Sequence, residues 1–180
     1  NDTDLVEKIK YMREKGTNRS SFLEGKVDKY EWIEKGSNFL PSELQAAVLK
    51  AQLKRLKEIQ INRERVWKSY ANVLSPICNE LNILFSSQED NLSLTHHIFY
   101  LLFTNKEHAK GLIRYLYKKN IMATSHYRPL SISPYIRKIY SDSYIDKCPI
   151  SEEISDCIVR LPLSSTMSKN EVERVNSEVI

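Results

Sequence analysis

The sequence predicts an α/β fold in which a long helix precedes a small sheet with helices packed on it. Residues 42–74 keep one apolar face at the spacing of a helix. Residues 95–103, which read THHIFYLLF, change to the β-branched and aromatic composition of a strand. Strand and helix patterns then alternate, and this order favours a sheet covered by helices. At about 1.5 Å per residue the long helix would be on the order of 50 Å long, so we expect it to bridge two domains.

An N-terminal helix and a long loop come before that bridging helix. Residues 3–14 repeat apolar side chains at helical spacing, with Thr3 as the predicted N-cap and Gly16 as the left-handed residue after the helix. Residues 16–41 follow with little periodicity. Loops of this length inside compact domains are usually functional or disordered, and the aromatic residues of this one argue against disorder.

The bridging helix has a defined predicted start. Ser42 and Gln45 fit a capping box, in which the Ser42 hydroxyl accepts from the Gln45 N–H and the Gln45 side chain reaches back to Ser42. A polar break is predicted at residues 86–93. The other elements are predicted as strands at residues 95–103, 121–127 and 159–163, and as helices at residues 106–120, 151–159 and 168–180, the last capped by Ser168.

Composition narrows the class of protein. With 180 residues, 41% of them hydrophobic, the chain can bury one or two modest cores. Its net charge of +4 permits an anionic ligand without requiring nucleic acid. The three cysteines form no CxxC pair, which fits a reducing compartment such as the cytoplasm and makes a zinc site unexpected. No apolar run approaches the roughly 20 residues that span a membrane. The start at Asn1, inside a helical pattern and without a methionine, suggests a segment of a longer protein.

Two polar clusters, at residues 16–20 and at residues 96–97, are candidate binding sites. In residues 16–20, GTNRS, the Arg19 guanidinium can hold an anion bidentately, although a polar turn with a solvated arginine explains the same residues. His96 and His97 open a predicted strand, where neighbouring side chains face opposite sides. They cannot easily share a metal ion, so we expect one to be buried or ligand-facing and the other exposed. For either histidine, a structural role is more common than a ligand-binding role.

A third cluster closes the predicted strand at residues 121–127. His126, Tyr127 and Arg128 place an imidazole, a phenol and a guanidinium where a strand runs into a loop, which is a favoured position for ligand groups. Together they can bind a phosphate or sugar hydroxyls. The alternative is a surface turn with Tyr127 packed inward.

No catalytic motif accompanies these clusters. The chain has no nucleophile elbow, P-loop, GxGxxG or HExxH, so neither a catalytic nor a metal-ligating residue is assigned. A standalone interaction or nucleic-acid-binding domain is one interpretation, because basic side chains recur along the predicted bridging helix; a solvated surface explains them as well. These basic residues are Lys50, Lys54, Arg55, Lys57, Arg63, Arg65 and Lys68.

Five stretches occur in the order seen in one protein family. They are REKGTNRSSF, VDKYEWIEKGSNFLPSELQAAVLKAQLKRL, THHIFYLLF, NIMATSHYRPL and VRLPLSSTMS. Over essentially the whole chain they resemble the DegT/StrS-type sugar aminotransferases. The resemblance implies the fold of aspartate aminotransferase, fold type I of the pyridoxal-phosphate enzymes. Residues 1–75 would then end the large domain with an active-site loop and the bridging helix, and residues 76–180 would form the small domain.

The resemblance also implies an activity. Enzymes of this family use pyridoxal 5′-phosphate to transfer an amino group from glutamate to a keto sugar carried on a nucleotide. They are usually homodimers with active sites at the subunit interface, and neither nucleic acid nor a membrane is implied as a partner. The lysine that carries the cofactor, and the acidic residue that pairs with its pyridine nitrogen, lie upstream of the segment matching Asn1. The chain alone is therefore expected to be inactive.

Two loop residues receive roles from the resemblance. Asn38 matches the asparagine that reaches the cofactor phosphate of the partner subunit. Arg19 is the candidate contact for the anionic nucleotide-sugar. Leu40 stands where the family has an arginine and Ser37 where it has an aromatic residue, so the family's contacts from those two positions do not carry over.

Four residues of the second part receive substrate-binding roles. His97 aligns with the histidine at the start of the family's small-domain strand. His126 and Tyr127 match the His-Tyr that precedes Pro-Leu-His, with Arg128 as a basic residue beside them. Ser131 replaces the last histidine of that motif.

Overall fold

A computed structural model of the chain describes residues 2–86, 95–140 and 148–180. Its contacts divide the chain into two compact units, Asn1–Arg55 and Leu56–Ile180. The predicted polar break at residues 86–93 lies, apart from Ser86, outside the described residues. The assignment of residues 1–75 and 76–180 to a large and a small domain of a longer enzyme stays a prediction.

The first unit begins with a helix that is capped by Asp2 rather than by Thr3. Asp2 Oδ1 accepts hydrogen bonds from the N–H groups of Asp4 and Leu5, at 3.0 and 3.1 Å. The predicted cap was wrong because aspartate, which is the better N-cap, stands one residue earlier. The helices described in this unit are α1 (Thr3–Arg13), α2 (Arg19–Leu23) and α3 (Glu43–Lys54).

The capping box before α3 is confirmed. The Gln45 N–H donates to Ser42 Oγ at 3.3 Å, and the Ser42 N–H donates to Gln45 Oε1 at 2.8 Å. The helix predicted at residues 42–74 is interrupted at Arg55, whose N–H bonds to the carbonyl of Gln52, three residues earlier. It therefore forms two helices, α3 and α4 (Leu56–Glu80), instead of one.

The second unit contains an antiparallel sheet of three strands in the order β1-β2-β3. Leu84 lies opposite Leu102 and Phe99 lies opposite Leu161, so β2 is central. The elements of this unit after α4 are β1 (Leu84–Phe85), β2 (Phe99–Leu102), α5 (Lys106–Lys118), a 3₁₀ turn (Leu130–Ile132), α6 (Pro134–Ile139), α7 (Pro149–Ser155), β3 (Ile158–Leu161) and α8 (Lys169–Val179).

The hydrophobic core described in the structure lies in the second unit, between one face of the sheet and α4, α5 and α8. Tyr70 of α4 is fully buried there, with its ring 5.3 Å from the ring of Phe99 and its hydroxyl donating to the Pro162 carbonyl at 2.7 Å. Burial raises the pKa of Tyr70 above its usual value. The largest fully buried side chains are Tyr70, Phe99, Leu74, Leu101, Leu116, Val66 and Val159.

The strand predicted at residues 121–127 is wrong. Of this run only Thr124 pairs, through one antiparallel bridge to Arg160. The side chains at residues 124–128 are exposed, so they gain little from the half-buried surface that a strand provides. The strands predicted at residues 95–103 and 159–163 are present but shorter, and the helix predicted at residues 151–159 ends at Ser155 because β3 begins at Ile158.

The apolar faces of the first unit remain exposed. Leu44 is 81% exposed and Trp32 is 79% exposed, and the apolar side chains of α1 are also largely accessible. Among the described residues 2–55, the buried ones are Glu14, Gly16, Thr17 and Asn18, which are polar or glycine. No helix in the described part of the chain is long and apolar enough to cross a membrane.

Candidate functional site

Two loops of the first unit are hydrogen-bonded to each other. Asn18 is 5% exposed, and its side chain accepts from the Glu31 N–H at 2.7 Å and donates from Nδ2 to the Lys29 carbonyl at 3.0 Å. Antiparallel bridges join Glu14 to Asn38 and Thr17 to Trp32. The long loop predicted to be ordered therefore has a defined structure, which sequence patterns alone did not reveal.

Two glycines allow these loops to approach closely. Gly16 has a φ of +79°, and a Cβ there would lie 1.6 Å from the Glu34 carbonyl oxygen. A Cβ on Gly36 would lie 2.3 Å from the Gly16 nitrogen and 2.6 Å from the Met12 carbonyl oxygen. Any side chain at either position would push the backbones apart.

The predicted ligand residues of the first unit, Arg19 and Asn38, are both exposed. Arg19 is the first residue of α2, and Asn38 is held by its bridge to Glu14. Neither side chain bonds to another residue in the described part of the chain. This accessibility fits a ligand contact and, for Arg19, equally a solvated side chain, so both roles stay predictions.

In the second unit, a cavity of about 350 Å³ is lined by outward-facing residues of β2 and β3 and by Trp67 of α4. Its position follows from strand alternation, because Tyr100 and Arg160 point away from the buried Phe99 and Val159. The cavity brings together His97 and His126, which the sequence analysis assigned to substrate from separate stretches. Other lining residues are Trp67, Ser86, Thr95, His96, Ile98 and Ile158.

The two adjacent histidines face different environments, as expected. His96 is 8% exposed and packs edge-on against Trp67, with ring centroids 5.3 Å apart. Its Nε2 atom is buried and has no hydrogen-bond partner among the described residues. His97 is exposed, and its Nδ1 atom lies 2.6 Å from Thr95 Oγ1. This contact orients the His97 ring through Nδ1 and leaves Nε2 for another partner.

His126, Tyr127 and Arg128 line a second cavity of about 460 Å³ beside the first. His126 and Ile158 line both cavities. Tyr127 is 79% exposed, so the alternative in which it packs inward is wrong. Its ring lies 5.5 Å from the His126 ring and 5.7 Å from the Arg160 guanidinium carbon. An imidazole, a phenol and two arginine side chains therefore line this open surface.

Arg160 is the residue of this surface that the sequence analysis missed. Arg160 lines the first cavity, and its Nε atom is buried without a hydrogen-bond partner in the described chain. Guanidinium groups suit carboxylates and phosphates because they donate two parallel hydrogen bonds. The sequence feature that could have indicated Arg160 is that it is the single charged residue inside the apolar run of β3.

The basic residues along residues 50–68 do not form one free cationic face. Lys68 pairs with Glu64 at 2.7 Å, and Arg65 donates to the Met167 carbonyl. The pairing with Lys68 also lowers the pKa of Glu64. Among the described residues, no group of three or more histidine, cysteine, aspartate or glutamate side chains could hold a metal ion.

The chain belongs to the DegT/DnrJ/EryC1/StrS aminotransferase family, which it matches over residues 1–180. One curated relative, dTDP-3-amino-3,6-dideoxy-alpha-D-galactopyranose transaminase from Aneurinibacillus thermoaerophilus, is 32% identical over 97% of this chain and 43% of the relative. Another, UDP-4-amino-4,6-dideoxy-N-acetyl-beta-L-altrosamine transaminase from Helicobacter pylori, is 24% identical over 100% of this chain and 46% of the relative. The chain thus spans less than half the length of these relatives.

Solved structures agree on the fold. The aminotransferase TlmJ from Streptoalloteichus hindustanus superposes with a TM-score of 0.81 at 19% identity, covering 99% of this chain and 45% of TlmJ. Spr1654 from Streptococcus pneumoniae, in its PMP form, superposes with a TM-score of 0.81 at 16% identity, covering 99% of this chain and 43% of Spr1654. The predicted fold class, part of a fold type I aminotransferase with helix and sheet, is confirmed.

Proposed function

We propose that this chain is the C-terminal part of a pyridoxal-phosphate-dependent nucleotide-sugar aminotransferase. The observation that carries the proposal is the match of the whole chain to an aminotransferase family whose curated members are more than twice as long. The chain supplies binding groups and no assigned catalytic group, so it is inactive without the upstream segment. Residues 1–75 and 76–180 are then the end of the large domain and the small domain.

The proposed substrate is a dTDP-4-keto-6-deoxyhexose, with glutamate as the amino donor. The GTNRS and VDKYEW segments resemble the dTDP-4-oxo-6-deoxy-D-glucose transaminase branch of the family, and one relative carries the name of a dTDP-sugar transaminase. The product would serve cell-surface polysaccharide or lipopolysaccharide biosynthesis, such as that of enterobacterial common antigen. Such a pathway places the enzyme in the cytoplasm.

The residues of the first unit fit a phosphate-bearing cofactor and an anionic substrate. The Asn38 amide is exposed on a backbone that the bridge to Glu14 holds, so it can donate to the phosphate of a cofactor bound mainly by the partner subunit. Arg19 can pair with the nucleotide phosphates without first breaking another contact. The cofactor, when bound, supplies the electron sink for amino-group transfer.

The residues of the second unit are suited to contact the sugar of the substrate. His97 and His126 line one cavity, and Tyr127 and Arg128 line its neighbour, so donors and an aromatic ring face the same surface. Hydroxyl groups of a sugar bind such donors, and the aromatic ring can cover a sugar face. Arg160 adds a positive charge beside them. In this proposal these residues bind and orient substrate and exclude water.

A homodimer is part of the proposal. Trp32 and Phe39 are 79% and 69% exposed on the loop that carries Asn38, so two large aromatic side chains are available to a partner subunit. If Asn38 serves the neighbouring subunit, this loop lies at the dimer interface. The intact enzyme should then sediment as a dimer, and a strictly monomeric enzyme that binds the cofactor fully would contradict this part.

Cofactor titration of the intact enzyme tests the proposal. Adding pyridoxal phosphate should produce the absorbance band of the bound cofactor, and Asn38→Ala should weaken cofactor affinity about tenfold through loss of one charge-assisted hydrogen bond. Asn79→Ala, on an exposed position of α4, is the matched control and should leave the affinity unchanged. An intact, folded protein that binds no pyridoxal phosphate would overturn the proposed function.

A further inference from the structure

Glu14 lies where the two loops of the first unit meet. It ends α1, and its carbonyl accepts from both the N–H and the hydroxyl of Thr17, at 3.1 and 2.7 Å. Its backbone forms the antiparallel bridge with Asn38. Its carboxylate Oε1 accepts from the Ser20 hydroxyl at 2.9 Å. Glu14 therefore contacts both sides of the short segment that contains Arg19, and also the residue assigned to the cofactor.

The buried carboxylate of Glu14 is only partly satisfied by its neighbours. Glu14 is 8% exposed, and its Oε2 atom is buried without a hydrogen-bond partner in the described chain. The cation nearest to Oε1 is Arg13, at 3.3 Å, and that side chain is half exposed. Burying a carboxylate with one oxygen unpaired costs free energy that a neutral side chain would not cost.

We propose that Glu14 is a positioning residue that fixes Arg19 and Asn38 relative to each other for binding an anionic ligand. Its side chain holds the first turn of α2 through Ser20, and its backbone holds the strand-like segment at Asn38. The inference deepens the proposed function and rests on it. The ligand class is a nucleoside diphosphate, which Arg19 meets through a guanidinium-to-phosphate contact.

The test measures the affinity of the intact enzyme for dTDP by titration calorimetry. Glu14→Ala should weaken dTDP binding about tenfold, because it releases one charge-assisted hydrogen bond that holds α2. Ser20→Ala removes the other partner of the same bond and should have the same effect. The double variant should be no weaker than either single variant, since one interaction is lost only once. Ser21→Ala, one residue further along α2, is the matched control and should leave the affinity unchanged.

Two further variants separate positioning from a general loss of structure. In an Arg19→Ala background, Glu14→Ala should cause no additional loss of affinity, because Glu14 acts through Arg19. Glu14→Gln keeps an oxygen that accepts from Ser20 and should recover most of the affinity, with an unfolding midpoint equal to or above that of the unmodified enzyme. Full additivity with Arg19→Ala, no recovery in Glu14→Gln, or unchanged affinity in Glu14→Ala would each overturn the inference.

If dTDP is not a ligand, amide hydrogen exchange tests the role of Glu14 independently of ligand binding. Failure of the unmodified enzyme to bind dTDP would contradict the proposed substrate. The effect of Glu14 on the loops is then measured by amide exchange. Glu14→Ala should then accelerate amide exchange in residues 17–20, which the carboxylate holds through Ser20, and leave residues 37–39, which the backbone bridge holds, unchanged. Ser21→Ala should change neither segment. Unchanged exchange in residues 17–20 would overturn the role of Glu14.

Discussion

The N–H of Glu31 donates to Asn18 Oδ1 at 2.7 Å, while Nδ2 of the same asparagine donates to the Lys29 carbonyl at 3.0 Å. A single buried side chain thereby satisfies two backbone groups of a segment that has no helix or strand of its own. This explains how a long glycine-containing loop is ordered without an apolar core beneath it.

Replacing Asn18 with alanine tests that explanation. Asn18→Ala leaves the Glu31 N–H and the Lys29 carbonyl without their partner, at about 1 kcal/mol for each lost hydrogen bond. Amide exchange in residues 29–34 should become faster, because that segment opens more readily. Asn170→Ala, on an exposed position of α8, is the control and should leave this segment unchanged. Equal protection in both variants would mean that the loop is held by other contacts.

Gly36 is predicted to tolerate no side chain. In Gly36→Ala the new methyl group would meet the Gly16 nitrogen at 2.3 Å, so the two loops must separate and Asn38 must move. Cofactor affinity of the intact enzyme should fall by at least about tenfold, equivalent to one lost hydrogen bond. Gly111→Ala is the contrasting variant. It adds a methyl group in open space on helix α5 and should stabilise the protein by about 0.5–1 kcal/mol in urea unfolding.

Tyr70 is predicted to stabilise the second unit through its hydroxyl as well as its ring. Tyr70→Phe keeps the contact with Phe99 but leaves the Pro162 carbonyl without its donor, which should cost about 1–2 kcal/mol in the free energy of unfolding. Urea denaturation measures this cost. Tyr117→Phe, at a position 76% exposed, should change it by less than about 0.5 kcal/mol. Equal effects of the two variants would contradict the buried hydrogen bond.

The start of α8 is predicted to weaken in acid. Hydrogen bonds from the backbone and hydroxyl of Ser168 lower the pKa of the Glu171 carboxyl. Because the folded-state pKa lies below the unfolded one, this stabilisation is present above the unfolded pKa and is lost as the pH falls through the folded pKa. The difference in unfolding free energy between the protein and Glu171→Gln should therefore shrink as the pH is lowered below about 4. A difference that stays constant over this range would exclude the carboxylate as its source.

Local signals predicted the fold best. The capping box at Ser42 and the N-cap at Ser168 each depend on residues close in sequence, and both are confirmed. The cap at Thr3 was wrong because the neighbouring Asp2 competes for the same N–H groups. The strand at residues 121–127 was wrong because pairing depends on a distant partner, and only Thr124 finds one in β3.

The candidate site was only partly predictable, because it also depends on residues that are distant in sequence. The sequence indicated His97 and His126 separately, but their placement along one cavity depends on the register of β2 and β3. Arg160 had no motif around it, and its exposure to the cavity follows from its outward position in β3. Glu14 was missed because its contacts with Ser20 and Asn38 come from loop folding and not from spacing.

An amino-transfer assay with the intact enzyme tests the proposed function most directly. The protein is supplied with pyridoxal phosphate, glutamate and dTDP-4-keto-6-deoxyglucose, and the sugar and 2-oxoglutarate are quantified by mass spectrometry. We expect the dTDP-4-amino sugar and 2-oxoglutarate in equal amounts, with none formed by the 180-residue chain alone. A folded intact enzyme that holds the cofactor but forms neither product from this or other nucleotide-linked keto sugars would contradict the proposed function.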